Sequence, residues 1–383
     1  MRRSGWVLRG ECVYSSFLSM RLRRIILQQF RNIPWAEVEL TGTRHFFLGP
    51  NGQGKTNLLE AVGLLTALRS FRTCDARVLI AHGQTEAALS FELEQERMGP
   101  TRVTIRLRAG SKEVTVDQER VTRLADLLGR FPTVVFSSQD QQLIRGAPGG
   151  RRRWLDLTLA ATDPAYLQTL QTYHRALAGR NALLKRATPT AELAAFERPL
   201  AQSGSRLMRE RAVGLERLGR HLTRAYACIA SPGSPETVGF AYAPDLASAD
   251  EAAWLHALAA GRARDLQFRS TLTGPHRDDL DFTLDGRPAR EVASEGQQRS
   301  LVLALKVAQA HWFHAGSGVA PVLLADDVLG ELDPGRRARF WQAVEPDWQV
   351  LATGTTRPES DPIAWNMITV AKGAFARAES PGS

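Results

Sequence analysis

The sequence predicts an α/β lobe interrupted by an α-helical insertion, on three observations. A glycine-rich loop, Gly49-Pro50-Asn51-Gly52-Gln53-Gly54-Lys55-Thr56, lies between the apolar run His45-Phe46-Phe47-Leu48 and the helical run Asn57-Leu58-Leu59-Glu60-Ala61-Val62. A second apolar run, Pro321-Val322-Leu323-Leu324-Ala325, ends in two acids, Asp326 and Asp327. From about Arg151 to Arg262 the texture turns to Leu, Ala and Arg, with Leu155, Leu159, Tyr166, Leu167, Leu170, Tyr173 and Leu177 at helical spacing.

The elements follow in order. Residues 1–19 show no clear periodicity and read as an upstream, non-native or disordered extension, with Met20 as the working start. Arg21 to Leu27 and Ala36-Glu37-Val38-Glu39-Leu40 have strand character. After the loop and its helix, Glu86 to Leu93, Thr101 to Leu107 and Glu113 to Val116, with a turn at Gly110-Ser111, predict an antiparallel sheet. Pro132-Thr133-Val134-Val135-Phe136 predicts a buried strand. The helical insertion is punctuated by Pro189, Pro232 and Pro235 and looks too interrupted for long heptads. A strand at Leu280 to Leu284, a helix from Glu295 to His314, the strand before Asp326 and an αβ unit ending at Gln349-Val350-Leu351-Ala352 complete the lobe. The expected domains are 20–150 and 263–383 for the two halves of the lobe, and 151–262 for the helical arm.

Composition bounds the function. A chain of 383 residues with 43% hydrophobic content supports a sizeable core, and no stretch approaches the roughly 20 apolar residues of a membrane span. No apolar core with a small-residue cleavage site follows the basic start, so a secretory leader is not expected. Cys12, Cys74 and Cys228 are too scattered for a disulfide framework or a metal cluster and suit a reducing cytoplasm. A net charge of +9 favours a polyanionic partner, nucleic acid first, although a coding bias toward arginine would give the same surplus. Lys55 is one of only five lysines, which suits a site that needs a compact point charge.

The loop fits G-x-x-x-x-G-K-[ST], in which backbone N–H groups and a helix N-terminus close around phosphate. Gly49, Pro50, Asn51, Gly52, Gln53, Gly54 and Asn57 would form the cradle, Lys55 would reach the β- and γ-phosphates of ATP, and Thr56 would ligate Mg²⁺. Asp326 ends its strand where α/β sheets bind ligands and would hold the same metal, with Asp327 as general base. Two acids after a strand also serve as a helix cap or turn. Ser294-Glu295-Gly296-Gln297-Gln298-Arg299 opens a helix and by itself reads as an N-cap. Glycine loop, Ser-Glu-Gly-Gln, apolar-Asp-Asp and Glu331-Leu332-Asp333-Pro334, in that order, resemble the ABC-type ATPase head related to SMC heads. That resemblance implies that Ser294, Gly296 and Gln297 bind the γ-phosphate held by a second subunit.

Within that class the sequence resembles the RecF family over about residues 20 to 370. The resemblance rests on Phe30-Arg31-Asn32, the Gly52 to Ala61 run, Arg69-Ser70-Phe71-Arg72-Thr73, Gly274-Pro275-His276-Arg277-Asp278-Asp279-Leu280, Gly296 to Leu301 and Leu324 to Asp333. It implies a weak, DNA-dependent ATPase that dimerises on ATP, binds double-stranded DNA and single-strand–duplex junctions, and helps RecO and RecR load RecA in DNA damage repair. It also implies a cytoplasmic, nucleoid-associated protein, with no membrane partner and an arm without a long coiled coil. Three positions depart from the pattern. Ala325 replaces a larger aliphatic before Asp326, Gln139 or Asp140 stands where a metal-contacting Gln is expected, and Thr353-Gly354-Thr355-Thr356 occupies a switch region that often carries His.

Residues 151–225 hold fourteen basic against six acidic side chains, and Arg151, Arg152 and Arg153 are the candidate DNA contacts. Contact with ATP or a neighbouring subunit is the other reading of that run, and for His276, Arg277 and Asp278 a turn before a strand competes with a ligand role. The rival functions are the ATPase subunit of a membrane ABC transporter, which shares the head motifs, and a monomeric P-loop kinase, which has no use for a signature helix.

Overall fold

The computed structural model describes residues 20–377 apart from 74, 96–98, 187–189, 232, 234–235 and 359–362. The extension 1–19 and the prolines 189, 232 and 235 lie outside the described residues.

Two six-stranded sheets enclose the glycine-loop helix Lys55–Ala67. The central sheet runs Ala374–Arg377, Asn366–Ala371, Arg44–Leu48, Val350–Gly354, Val322–Asp326, Thr133–Ser137, parallel throughout except for the hairpin at its edge. The antiparallel sheet is built from Ile33–Glu39, Met20–Phe30, Glu86–Gln95, Gly99–Arg108, Ser111–Val116 and Glu119–Arg120. Strand alternation sorts the core into two clusters. Phe47, Val322, Leu324 and Leu351 face the loop helix and the antiparallel sheet. Their neighbours Phe46, Leu323, Ala325, Val350 and Ala352 face the helices of the other layer. The loop helix buries Leu58, Leu59, Ala61, Val62, Leu64 and Leu65, an apolar surface all round, as expected of a helix pressed between two sheets.

The insertion differs from expectation in two ways. Its core is a helix of 40 residues, Thr190–Ile229, that runs through Pro199. Leu193, Leu200 and Leu207 recur at sevens on its buried side, but the companion positions are Glu197, Gly204 and Arg211, so the heptad is hidden. Gly204 is required there because a Cβ would lie 2.5 Å from Trp254 Cζ3. The helices Pro148–Ala160, Pro164–Lys185 and Glu251–Phe268 pack around it. The second difference is a strand, Val238–Ala243, which pairs with Asp279–Leu284 in a three-stranded sheet.

Buried charge ties the arm to the lobe. Arg211, 3% exposed, donates to both Asp156 oxygens at 3.0 Å, to Asp278 at 2.9 Å and to the Pro275 carbonyl at 2.8 Å. Asp278 also accepts from Tyr242 Oη and from the Asp245 N–H at 2.9 Å. Arg180, fully buried, donates to Asp265 at 2.6 Å, Thr271 at 2.9 Å and Glu197 at 3.1 Å. The Gly274–Asp279 segment is therefore a structural turn whose acids anchor arm arginines. Arg211→Ala is expected to cost about 3–5 kcal/mol, because Asp156 and Asp278 stay buried without their counter-charge. Urea unfolding checks it: the midpoint should fall while the slope stays constant.

Candidate nucleotide-binding site

The loop helix has an N-terminus with no acidic residue in its first turn and no side-chain cap. Its cap, Gly54, sits at φ 108°, a conformation that favours glycine. Gly49 has no room for a Cβ, which would fall 2.2 Å from the Val370 carbonyl oxygen. The loop is braced by the C-terminal hairpin: Gly373 N–H donates to the Gln53 carbonyl at 2.9 Å and Lys372 N–H to Gln53 Oε1 at 2.7 Å. Asn32 Nδ2 donates to the Gly52 carbonyl at 2.9 Å, and Asn57 Nδ2 to Asn32 Oδ1 at 2.6 Å. Lys55 Nζ donates to the carbonyls of Gly49 at 2.6 Å and Pro50 at 3.0 Å, which holds the ammonium over the loop.

The second half of the site arrives from the far end of the chain. Asp326 Oδ1 accepts from Thr56 Oγ1 at 2.8 Å and from Thr353 Oγ1 at 3.0 Å. Burial raises the Asp326 pKa, the two hydroxyls pull it back, and neighbouring Asp327 pushes it further up. A hydroxyl and a carboxylate brought together are hard oxygen donors that suit Mg²⁺, which would neutralise phosphate charge when bound. Asp327 has φ 55°, in the left-handed region, and its N–H donates to Thr353 Oγ1 at 3.0 Å. Thr353, in the expected switch segment, thus positions both acids without titrating.

A cavity of about 1030 Å³ is lined by Asn51, Gly52, Gln53, Gly54, Lys55, Thr56 and Asn57 together with Asp327. Arg31 and Arg72 also line it, through a clamp that sequence reading missed. Glu60, fully buried on the loop helix, accepts from Arg31 at 2.8 and 2.7 Å, from Arg72 at 3.4 Å and from Ser70 Oγ. Arg72 also donates to Asn57 Oδ1 at 2.8 Å. The conspicuous runs Phe30-Arg31-Asn32 and Arg69-Ser70-Phe71-Arg72 thereby meet on one carboxylate. An acid inside the apolar run Leu58 to Leu65 was the available signal.

Ser294, Gly296 and Gln297 do not line this cavity. Ser294 caps the helix Glu295–Ser317 in a reciprocal box: its Oγ accepts from Gln297 N–H at 3.3 Å, and Gln297 Oε1 accepts from Ser294 N–H at 2.7 Å. Gln139 is exposed in the turn after the strand Thr133–Ser137 and also lies outside the cavity lining. Its neighbour Asp140 is engaged by Lys306 Nζ at 2.7 Å. Among the three arginines expected at DNA, Arg151 must be withdrawn. It is 1% exposed and donates to Asp279 at 2.9 and 2.8 Å and to the Gly146 carbonyl at 2.7 Å. The turn of its helix aims it at the strand Asp279–Leu284. Arg152 is half-buried and donates to the Asp278 carbonyl at 2.6 Å, and Arg153 is exposed.

Fold and site together define an ABC-type ATPase head of the SMC kind. The RecF/RecN/SMC N terminal domain family matches residues 21–360. The DNA replication and repair protein RecF of Nostoc punctiforme is 39% identical over 350 residues, spanning 88% of this chain and 93% of that protein. RecF of a Synechococcus is 38% identical over 383 residues, spanning 95% and 99%. The chain belongs to the RecF family. The solved structure of the recombination mediator protein RecF with ATP, in the RecFOR pathway, superposes with a TM-score of 0.87 at 26% identity, covering 96% of this chain and 100% of that one. An Smc head bound to a ScpA domain shares the fold alone, with a TM-score of 0.54 at 15% identity. Among the described residues no helix is long and apolar enough to cross a membrane.

Because Asp326 is held above the ordinary aspartate range, affinity for Mg²⁺-nucleotide is expected to fall on acidification at a higher pH than an exposed carboxylate would give. Thr353→Val removes one donor to the ionised form and moves that fall further up. Calorimetric titrations across a pH series check both, and an unmoved curve in the variant rules this account out.

Proposed function

We propose that this protein is an ATP-switched DNA clamp of recombinational repair and replication restart. Two copies close head to head on ATP, and hydrolysis opens them. The observation that carries the reading is the separation of the two phosphate-directed helix ends. The loop helix forms the cavity with Lys55 and Asp327, whereas Ser294 opens a second helix end that does not line it. A second copy would bring its own Ser294, Gly296 and Gln297 to that nucleotide and complete the anion site.

In the closed dimer, water attacks the γ-phosphorus in line, the bond to the β,γ-bridging oxygen breaks, and ADP and phosphate leave. Asp327 takes the proton from the attacking water, Lys55 neutralises charge on the phosphates, and Arg72 stays aimed into the cavity by Glu60 and Asn57. Thr56 and Asp326 would hold the metal. Turnover is expected to be slow and to rise with DNA, with ATP acting as a switch of affinity. Double-stranded DNA beside single-strand gaps is the proposed substrate, and RecO and RecR the proposed partners in loading RecA, as the RecFOR pathway named for the solved relatives suggests. Arg152 and Arg153 remain in the proposed DNA-facing set.

Sedimentation with ATP and Mg²⁺, with and without duplex DNA, tests the reading. Wild type should dimerise and bind duplex more tightly. Ser294→Arg should keep nucleotide binding and stay monomeric, and Lys55→Ala should lose nucleotide binding. Asp327→Asn should bind ATP and accumulate as dimer with hydrolysis suppressed by about a hundredfold or more. An Asp327→Asn protein that stays monomeric in saturating ATP would count against the sandwich.

A further inference from the structure

A second concave site lies between the lobe and the arm, away from the nucleotide cavity. It consists of two adjoining clefts of about 580 and 760 Å³ that share Ala67, Arg69, Leu124, Arg153 and Leu157. One wall is the segment after the loop helix, and the other is formed by the arm helices Pro148–Ala160 and Pro164–Lys185.

Its charge is one-sided. Arg69, Lys112, Arg152, Arg153 and Arg175 line the pair of clefts. The acids there are committed: Asp156 is held by Arg211 and Tyr166, and Asp140 by Lys306. The side chains of Arg69 and Arg175 make no hydrogen bond or ion pair among the described residues, and both residues are exposed. Lys112 donates to the Leu68 carbonyl at the end of the loop helix. Burial chiefly, and the neighbouring Arg69 to a lesser extent, lower its pKa. Leu128, Leu167 and Leu170 supply an apolar floor, and His174 stands beside them.

We infer that these joined clefts bind the phosphodiester backbone of a single nucleic-acid strand, with unstacked bases lying on the leucine floor and His174. Cations spaced along a groove suit a chain of phosphates, and an apolar or aromatic floor suits unpaired bases. Cavities of this size accept drug-sized ligands, the scale of about one or two nucleotides, so a duplex does not enter. The site deepens the reading of the protein as a DNA clamp and rests on it, because it assigns the unpaired strand of a gap a place of its own. The loop helix joins the two sites: Lys55 begins it at the nucleotide, and Ala67, about 20 Å away, ends it at the cleft.

The test is fluorescence anisotropy of the full chain in Mg²⁺-ATP, with a labelled oligothymidylate and a blunt duplex as separate probes. Wild type is compared with Arg175→Glu, Arg175→Lys and the double variant Arg69→Glu/Arg175→Glu. The double variant should lose about tenfold or more in oligothymidylate affinity, with a salt slope shallower by about 0.7 per lost phosphate contact. Duplex affinity should hold, Arg175→Lys should retain most of the binding, and the thermal melts should coincide. Unchanged oligothymidylate binding, or an equal loss on both probes, overturns the single-strand site while leaving the duplex clamp standing. Displacement of the oligomer by thymidine monophosphate at equal nucleotide concentration assigns the cleft to free nucleotides and overturns the strand. Wild type that binds neither probe overturns the site together with the clamp reading.

Discussion

A carboxylate removed from water must be given donors, and Asp326 takes its donors from two distant parts of the chain. The Thr56 hydroxyl comes from the loop helix, 270 residues earlier, and the Thr353 hydroxyl from the adjacent strand. These contacts require the strands Arg44–Leu48, Val322–Asp326 and Val350–Gly354 to lie parallel and in register. They also place the N-terminus of the loop helix at the carboxyl ends of the strands, where an α/β sheet presents its ligand site. The antiparallel sheet then covers the far side of that helix, and the helix Glu295–Ser317 lies on the other face of the central sheet, with the arm helix Thr190–Ile229 packed outside it. Desolvation of one acid thus constrains the arrangement of both halves of the lobe.

The second constraint is the burial of arginine. Arg151, Arg180 and Arg211 are each nearly or fully buried, and each reaches acids contributed by another element. Such pairs add little net stability, but removing one partner is severe, so they favour one docking of arm on lobe over its alternatives. This changes the meaning of the basic surplus. Part of the arginine content is internal framework, and the charge available to a polyanion is concentrated in exposed side chains such as Arg69 and Arg175. Glu60 works in the same way at the nucleotide cavity, fixing two guanidinium groups that would otherwise sample many rotamers.

Much of the lobe was legible because its signals are local. The glycine loop, the strand before Asp326 and the helix after Ser294 each carry their pattern within a dozen residues. The long arm helix was not legible, because Glu197, Gly204 and Arg211 stand where a heptad shows apolar residues, and their fitness depends on Arg180, Trp254 and Asp278 far away in sequence. The strand Val238–Ala243 did leave a trace in its alternating Val238, Phe240 and Tyr242, obscured by the surrounding helical composition. Arg151 was misjudged because a run of three arginines looks uniform, whereas a helix turns each successive side chain by about 100°. Glu60 reads as a polar residue in a helix until the two arginine segments are folded onto it.

The brace between the glycine loop and the C-terminal hairpin sets an order of events during synthesis. Gln53 is bonded to Lys372, 319 residues further along, and Gly49 is packed under Val370. At ribosomal rates of 5–20 residues per second, roughly 16 to 64 seconds separate the emergence of the loop from that of the hairpin that steadies it. Through that interval the phosphate-binding backbone exists as sequence without its support. The loop that lies at the nucleotide cavity therefore gains its brace only once the strands Asn366–Ala371 and Ala374–Arg377 have been made and added to the sheet.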